Sequence, residues 1–209
     1  SSAELVVYYH PKIDLDTGAV YGVEALVRWE HPTRGLLYPD AFLALVEESG
    51  LIPTLTRVLL SLAIDQVALW RAAGQELTVS VNLSASSLFD SDLPDRVAAM
   101  LAARGVPPNA LQLEITEEFL MADRDRARNI LNRLRDSGVQ ISVDDYGAGY
   151  SSLSYLRGMP IDELKPDRSF LLPMARDAVP APLGASPTRP ANRGGPPRPA
   201  RRPAPAPPP

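Results

Sequence analysis

Two periodicities alternate along the chain: short apolar runs with the two-residue period of strands, and longer stretches with the 3.6-residue period of helices. Six runs read as strands: Glu4–His10, Tyr21–Trp29, Leu77–Leu83, Ala110–Glu117, Gly138–Tyr146 and the weaker Asp162–Asp167. Between them, Pro53–Ala73 places Leu55, Val58, Leu59, Leu62, Gln66 and Trp70 on one stripe and ends at Gly74. Asp92–Arg104 carries Pro94 in its first turn, directs Val97 and Leu101 inward and stops at Gly105. Asp123–Ser137 repeats the design, with Asp123 as cap, Ala127, Ile130, Leu131 and Leu134 as the apolar face, and Gly138 at its end. Strand, helix and strand recurring at about 30 residues predict βαβ units and a mostly parallel α/β sheet.

An open doubly wound sheet and a TIM-type (β/α) barrel both fit this rhythm, and the polar residues favour the barrel. Barrel enzymes carry their chemistry at the C-terminal ends of several strands. Here Glu24 and Arg28 fall on the second run, Asn82 on the third, Glu114 and Glu117 on the fourth, Asp144 and Asp145 on the fifth, and Lys165 on the sixth. A complete barrel usually takes about 250 residues, whereas the patterned body ends near residue 179. About six strands of eight are therefore expected.

Composition separates this body, residues 1–179, from the C-terminal segment. Residues 180–209 hold 12 prolines, 6 alanines and 5 arginines, with no acidic residue. Such a segment has little to bury and few backbone donors, so it reads as a disordered tail with polyproline II character. Its five arginines leave the body at net −9 out of the chain's −4, which argues against DNA as a partner. Absence of cysteine excludes disulfides, thiolate nucleophiles and zinc–sulfur sites. No uninterrupted apolar run reaches the roughly 18 residues of a membrane span, and the start lacks a signal-peptide pattern. A cytoplasmic setting is expected, either for a cytoplasmic protein or for the cytoplasmic part of a larger, membrane-anchored one. The first residue is Ser rather than Met, which suits a fragment of a longer protein.

Carboxylates supply the candidate chemistry. Glu114 lies inside Leu111–Glu117 and Asp144-Asp145 end an apolar strand, where an acid is costly unless paired or metal-bound. Ion pairs to Arg28 and Lys165 would explain any one of these acids. Oxygen donors on four strands point instead to a hard cation such as Mg²⁺, Mn²⁺ or Ca²⁺, and adjacent aspartates could serve two metals. The glycine-containing stretch from Asp145 to Ser152 lacks the third glycine of a dinucleotide fingerprint and the Gly-Lys-Ser of a P-loop. It reads as a loop beside the acids. His10 and His31 form no ligand pair, Trp29 and Trp70 sit at core-type positions, and no serine-hydrolase elbow is present.

Taken together, the motifs resemble the EAL-domain family. They are Glu24-Ala25-Leu26 with Val27-Arg28-Trp29, Val81-Asn82-Leu83-Ser84, Leu113-Glu114-Ile115-Thr116-Glu117, Asp144 to Leu153, and Leu164-Lys165-Pro166-Asp167-Arg168-Ser169-Phe170. They stand in family order across residues 4–174. The resemblance implies a modified TIM barrel that hydrolyses cyclic di-GMP to linear pGpG with Mg²⁺ or Mn²⁺ at a two-metal site. It also implies that Glu24, Asn82, Glu114 and Asp144 are ligands of the first metal, and that Asp144 and Asp145 contact the second. By the same resemblance Glu24 and Lys165 are catalytic, Lys165 holding the attacking water, and Arg28 contacts a phosphate. Glu117 anchors the Asp145–Leu153 loop, which links the site to homodimerisation. An upstream cyclase or sensor domain is a further implied partner.

The chain departs from the family at His10, usually Gln, and at Pro166, usually Ile. Nothing after Asp177 resembles the family's Glu-Gly-Val-Glu or Gln-Gly-Tyr segments, as in a C-terminal truncation whose tail is read in a shifted frame. Slow or absent turnover is then expected. The alternative is a non-catalytic cyclic-di-GMP-binding or protein-interaction module.

Overall fold

The computed structural model describes residues 4–84, 86–87, 90–116, 123–146 and 158–166. The expectations for Glu117, for the loop beyond Tyr146, for the region after Asp177 and for the tail lie outside these residues. So do those for the side chains of Asp145 and Pro166.

The strands are β1 (Leu5–Ile13), β2 (Val20–His31), β3 (Gly35–Leu37), β4 (Thr78–Asn82), β5 (Leu111–Thr116), β6 (Gln140–Tyr146) and β7 (Glu163–Pro166). Their order in one sheet is β1-β2-β4-β5-β6-β7, with β3 also on β2. From β2 through β4, β5 and β6 to β7 every neighbour is parallel. The first two strands instead form a long antiparallel hairpin, from Leu5 opposite Trp29 to Ile13 opposite Val20. The sheet is thus mostly parallel, as the spacing predicts. Three features differ from expectation. β1 runs on through Pro11 and Lys12 to Ile13, β3 is an extra short strand, and the helix α1 (Leu43–Glu48) comes after it.

The helices α2 (Ile52–Ala72), α3 (Leu93–Ala103) and α4 (Arg124–Asp136) match the predicted segments. In α4, Ala127, Ile130, Leu131 and Leu134 are all buried, and the Asp123 carboxylate accepts a hydrogen bond from the Arg126 N–H at 3.2 Å. Gly138 then adopts φ +95°, a conformation that side-chain-bearing residues avoid. In α3, Val97 and Leu101 are buried, but Asp92 caps nothing. Asp90 closes a turn just before the helix, its carboxylate accepting from the Asp92 N–H at 3.0 Å and pairing with Arg96.

The core stripe of α2 is rotated from the predicted one: Leu60, Ala63, Ile64 and Val67 face inward beside Leu59. Leu55, Val58, Leu62, Gln66 and Trp70 are half-buried on the flank, where Tyr9 packs edge-on against Trp70 with ring centres 4.9 Å apart. The helix is covered on two sides, so a single-stripe reading picks the wrong one. Covering on two sides also makes α2, at 21 residues, long and apolar enough to pass for a membrane span by composition. Its Asp65 pairs with Arg104, the residue just past the end of α3.

Burial pushes the Tyr9 phenol up to about 12, helped by the Asp65 charge. Its hydroxyl donates to the Leu62 carbonyl at 3.4 Å. A phenol whose pKa is raised in the fold contributes stability in full below its unfolded value of about 10, and that contribution is lost as pH rises toward 12. Tyr9→Phe is therefore expected to flatten the alkaline limb of the stability profile. Urea melts at pH 7 and pH 11 measure it, and an unchanged difference between the two pH values would refute the assignment.

Candidate active site

Alternation along the parallel strands divides the sheet into two faces. Val79, Val81, Leu111, Leu113, Ile115, Ile141 and Val143 point at the helices and are buried. The intervening positions, Ser80, Asn82, Gln112, Glu114, Ser142, Asp144, Glu163 and Lys165, are all polar. The register aligns Asn82 with Glu114, Glu114 with Ser142, and Ser142 with Glu163. Glu24 pairs with Ser80 on the strand before. Of the polar residues predicted at strand ends, Glu24, Asn82, Glu114, Asp144 and Lys165 thereby fall on one face.

Glu114 is at the centre and has no solvent exposure. Its Oε1 accepts a hydrogen bond from Lys165 Nζ and lies 3.5 Å from Lys12 Nζ. Its Oε2 is buried with no hydrogen-bond partner among the described residues. Glu24 accepts from Asn82 Nδ2 at 2.8 Å. Burial draws the Lys165 ammonium down, but the hydrogen bond to Glu114 and the charges of Glu114, Asp144 and Glu24 outweigh it, and the net direction is up. Lys165 therefore stays charged at neutral pH, and its contribution to stability is lost only as pH climbs past its unfolded value of about 10.5.

Arg28 stands apart from these acids. Its Nη1 donates to the Val27 carbonyl at 2.8 Å, and its guanidinium lies 4.6 Å from the Tyr38 ring centre and 5.7 Å from that of Tyr8. Of the two ion pairs considered for the strand acids, the one to Lys165 is present, and among the described residues none is made to Arg28. His31 is satisfied by its own turn, its Nδ1 accepting from Thr33 N–H at 3.2 Å. His10 is exposed and lies directly across the hairpin from Glu24. Next to Asn82 a hollow of about 360 Å³ opens, lined by Leu26, Leu43, Leu55, Leu83 and Thr116.

Sequence reasoning missed the residues beneath Glu114. Lys12 Nζ donates to Ser80 Oγ at 2.9 Å and to Gln112 Oε1 at 2.7 Å, and Gln112 Nε2 donates to Glu163 Oε2 at 2.7 Å. Each lies on a strand two residues before a predicted site residue: Ser80 before Asn82, Gln112 before Glu114, Glu163 before Lys165. The period of two, carried one step back, would have found them. Lys12 comes from outside the parallel strands, and its signal is fainter: it pairs with Gly22 and crosses β2 with its Nζ 5.7 Å from the Tyr21 ring centre.

This donor set suits a hard divalent cation. Carboxylate and amide oxygens are the ligands such ions prefer, and Glu114 Oε2 is a buried acceptor in want of a positive partner. Glu24, Glu114, Asp144 and Glu163 formally exceed Lys12 and Lys165 by two charges. No three acids among the described residues already stand at mutual ligand distance, and both lysines bind the oxygen that is not orphaned.

The EAL-domain profile matches residues 1–184. The chain belongs to the EAL-domain family. It is 45% identical over 170 residues to the Pseudomonas aeruginosa cyclic di-GMP phosphodiesterase NbdA, a match covering 81% of this chain and 22% of NbdA. It is 43% identical over 176 residues to the bifunctional diguanylate cyclase/cyclic di-GMP phosphodiesterase MucR of the same organism, covering 84% and 26%. This EAL chain spans about a quarter of the length of these curated relatives. The PaMucR phosphodiesterase in its c-di-GMP complex superposes with a TM-score of 0.77 at 43% identity, covering 84% of this chain and 71% of that one. The EAL enzyme Bd1971, with cAMP and cyclic di-GMP bound, gives 0.75 at 31% identity, covering 83% and 48%. The fold is accordingly the TIM-barrel type of EAL domains, as the strand-end acids predicted.

Proposed function

We propose that this chain is a metal-dependent phosphodiesterase that hydrolyses cyclic di-GMP to linear pGpG in bacterial second-messenger signalling in the cytoplasm. One observation carries the reading: the fully buried Glu114 carboxylate has one oxygen clamped by ammonium groups and the other free, at the strand ends where Glu24, Asn82 and Asp144 also sit. Relatives named as cyclic di-GMP phosphodiesterases, and one solved with that nucleotide, support the substrate.

In the reaction, water adds across one phosphodiester. Its oxygen bonds to phosphorus, the bond from phosphorus to the 3′-oxygen breaks, and that oxygen leaves with a proton. Glu24, Asn82, Glu114 and Asp144 would hold one cation, with Asp144 and Asp145 reaching a second. Bound Mg²⁺ or Mn²⁺ neutralises phosphate charge and lowers the pKa of water. Lys165, kept protonated by Glu114, orients the attacking water and holds positive charge beside it. Arg28, its guanidinium set against Tyr38, presents N–H donors to a phosphate oxygen. Glu117 would anchor the Asp145–Leu153 loop and through it couple the site to a homodimer. A cyclase or sensor domain is the proposed upstream partner, as the bifunctional name of MucR suggests.

Chromatography of cyclic di-GMP incubated with the full chain tests this. pGpG is expected with Mn²⁺ or Mg²⁺ and is expected to vanish in EDTA. Nucleotide that is bound but recovered intact with either metal would overturn hydrolysis and make the chain a binding module.

A further inference from the structure

Lys12 occupies a place that the reaction does not explain. It lies on β1, across from Gly22, and its side chain crosses β2 to reach β4 and β5. Gly22 itself is required by the close approach of Thr78, whose Oγ1 a Cβ would meet at 2.3 Å, and Lys12 Nζ passes 5.7 Å from the ring centre of Tyr21 on the same strand. At the far end Nζ finds Ser80 Oγ, Gln112 Oε1 and Glu114 Oε1. Its side chain is 13% exposed, so the charge is largely withdrawn from water and is held by these groups.

The Gln112 amide joins two unlike charges. Its oxygen faces Lys12 and its nitrogen faces Glu163, so the end charges fix which way the amide lies. Lys12 and Lys165 both bind Glu114 through Oε1, and Oε2 is left with no partner. Two ammoniums on one oxygen hold the carboxylate in one orientation. They also offset two of the four formal negative charges on this face.

We infer that Lys12 is a built-in counter-ion and positioning residue for Glu114: it clamps Oε1 and supplies, in the metal-free chain, part of the positive charge that a divalent cation supplies when bound. The inference rests on the proposed divalent-cation site. The lysine lets the polar face fold before any cation arrives and keeps Oε2 turned toward the side where ligands would gather. Replacing Lys12 by Met keeps the length of the side chain and removes the charge. The face then carries four formal negative charges against one positive, which weakens the metal-free fold and increases what a divalent cation adds.

Thermal melts of the full chain in EDTA and in Mn²⁺ test this with three proteins: the parent, Lys12→Met, and Lys12→Met with Glu163→Gln. Lys12→Met is expected to lower the EDTA midpoint by about 5–10 °C and to show a larger Mn²⁺-induced rise than the parent. The double variant removes one charge of each sign, and its rise should return to the parent's size. An equal fall in EDTA and in Mn²⁺ would mean that Lys12 is only structural and would overturn the inference. So would a double variant that keeps the larger rise. A Lys12→Met chain that folds only with Mn²⁺ supports the role, and if it folds in neither buffer the double variant decides. A parent melt unmoved by Mn²⁺ would sink the divalent-cation site itself, a failure separate from an unshifted Lys12→Met midpoint in EDTA.

Discussion

Glu114→Ala is expected to remove turnover and to cost about 3–5 kcal/mol of stability, the usual penalty for deleting one partner of a buried ion pair. Both losses have the same source. Deleting this carboxylate strands Lys165 and Lys12, the two ammoniums that share its Oε1, and takes away Oε2, the acceptor left open at the strand ends. In a chain of this size such a cost lowers the melting midpoint by about 10 °C. A third effect separates function from stability: Mn²⁺ should no longer raise the midpoint of the variant. A Glu114→Ala chain that still gains stability from Mn²⁺ as the parent does would show that the cation binds elsewhere. Calorimetry in EDTA and Mn²⁺, with chromatographic assay of pGpG, measures all three.

Leu113→Ala, one position away, is expected to do something quite different. Leu113 points to the helices, is fully buried, and pairs in register with Val81 on one side and Ile141 on the other. Truncating it removes buried methyl groups and leaves a cavity, at about 2–5 kcal/mol. Because the opposite face is untouched, the loss should be the same with and without Mn²⁺. Activity per folded molecule should survive well below the melting temperature. A drop in kcat at low temperature with no drop in folded fraction would mean instead that the two faces are coupled.

The contrast between neighbours explains what was legible in one dimension. Apolar residues at 111, 113 and 115 marked a strand, and the helical stripe of Ala127, Ile130, Leu131 and Leu134 marked its cover, because burial on one face writes a period that needs no partner to be read. The site acids were equally visible, since a carboxylate in an apolar run is conspicuous. Lys12 was not. Its neighbours Pro11 and Ile13 gave no alternation to extend, and its role depends on Ser80 and Gln112, which meet it only in three dimensions. The stripe of α2 differs from the predicted one for a related reason: Tyr9 packs on Trp70 and covers a second side of that helix, and one-dimensional periodicity does not rank two apolar sides.

The β1–β2 hairpin has a consequence for how the domain is made. Its contacts are local, closing over the short turn between Ile13 and Val20, whereas β2 cannot meet β4 until Thr78 arrives opposite Gly22. Short loops close at low entropic cost and local pairings form fast. During synthesis, which proceeds at about 5–20 residues per second, the hairpin can stand for several seconds with only the short β3 on its far edge. For that interval it is a ribbon that carries Lys12 on one strand and Glu24 on the other, with β4 and β5 still to come. The register of both residues can thus be set by local pairing before the ribosome has made Glu114.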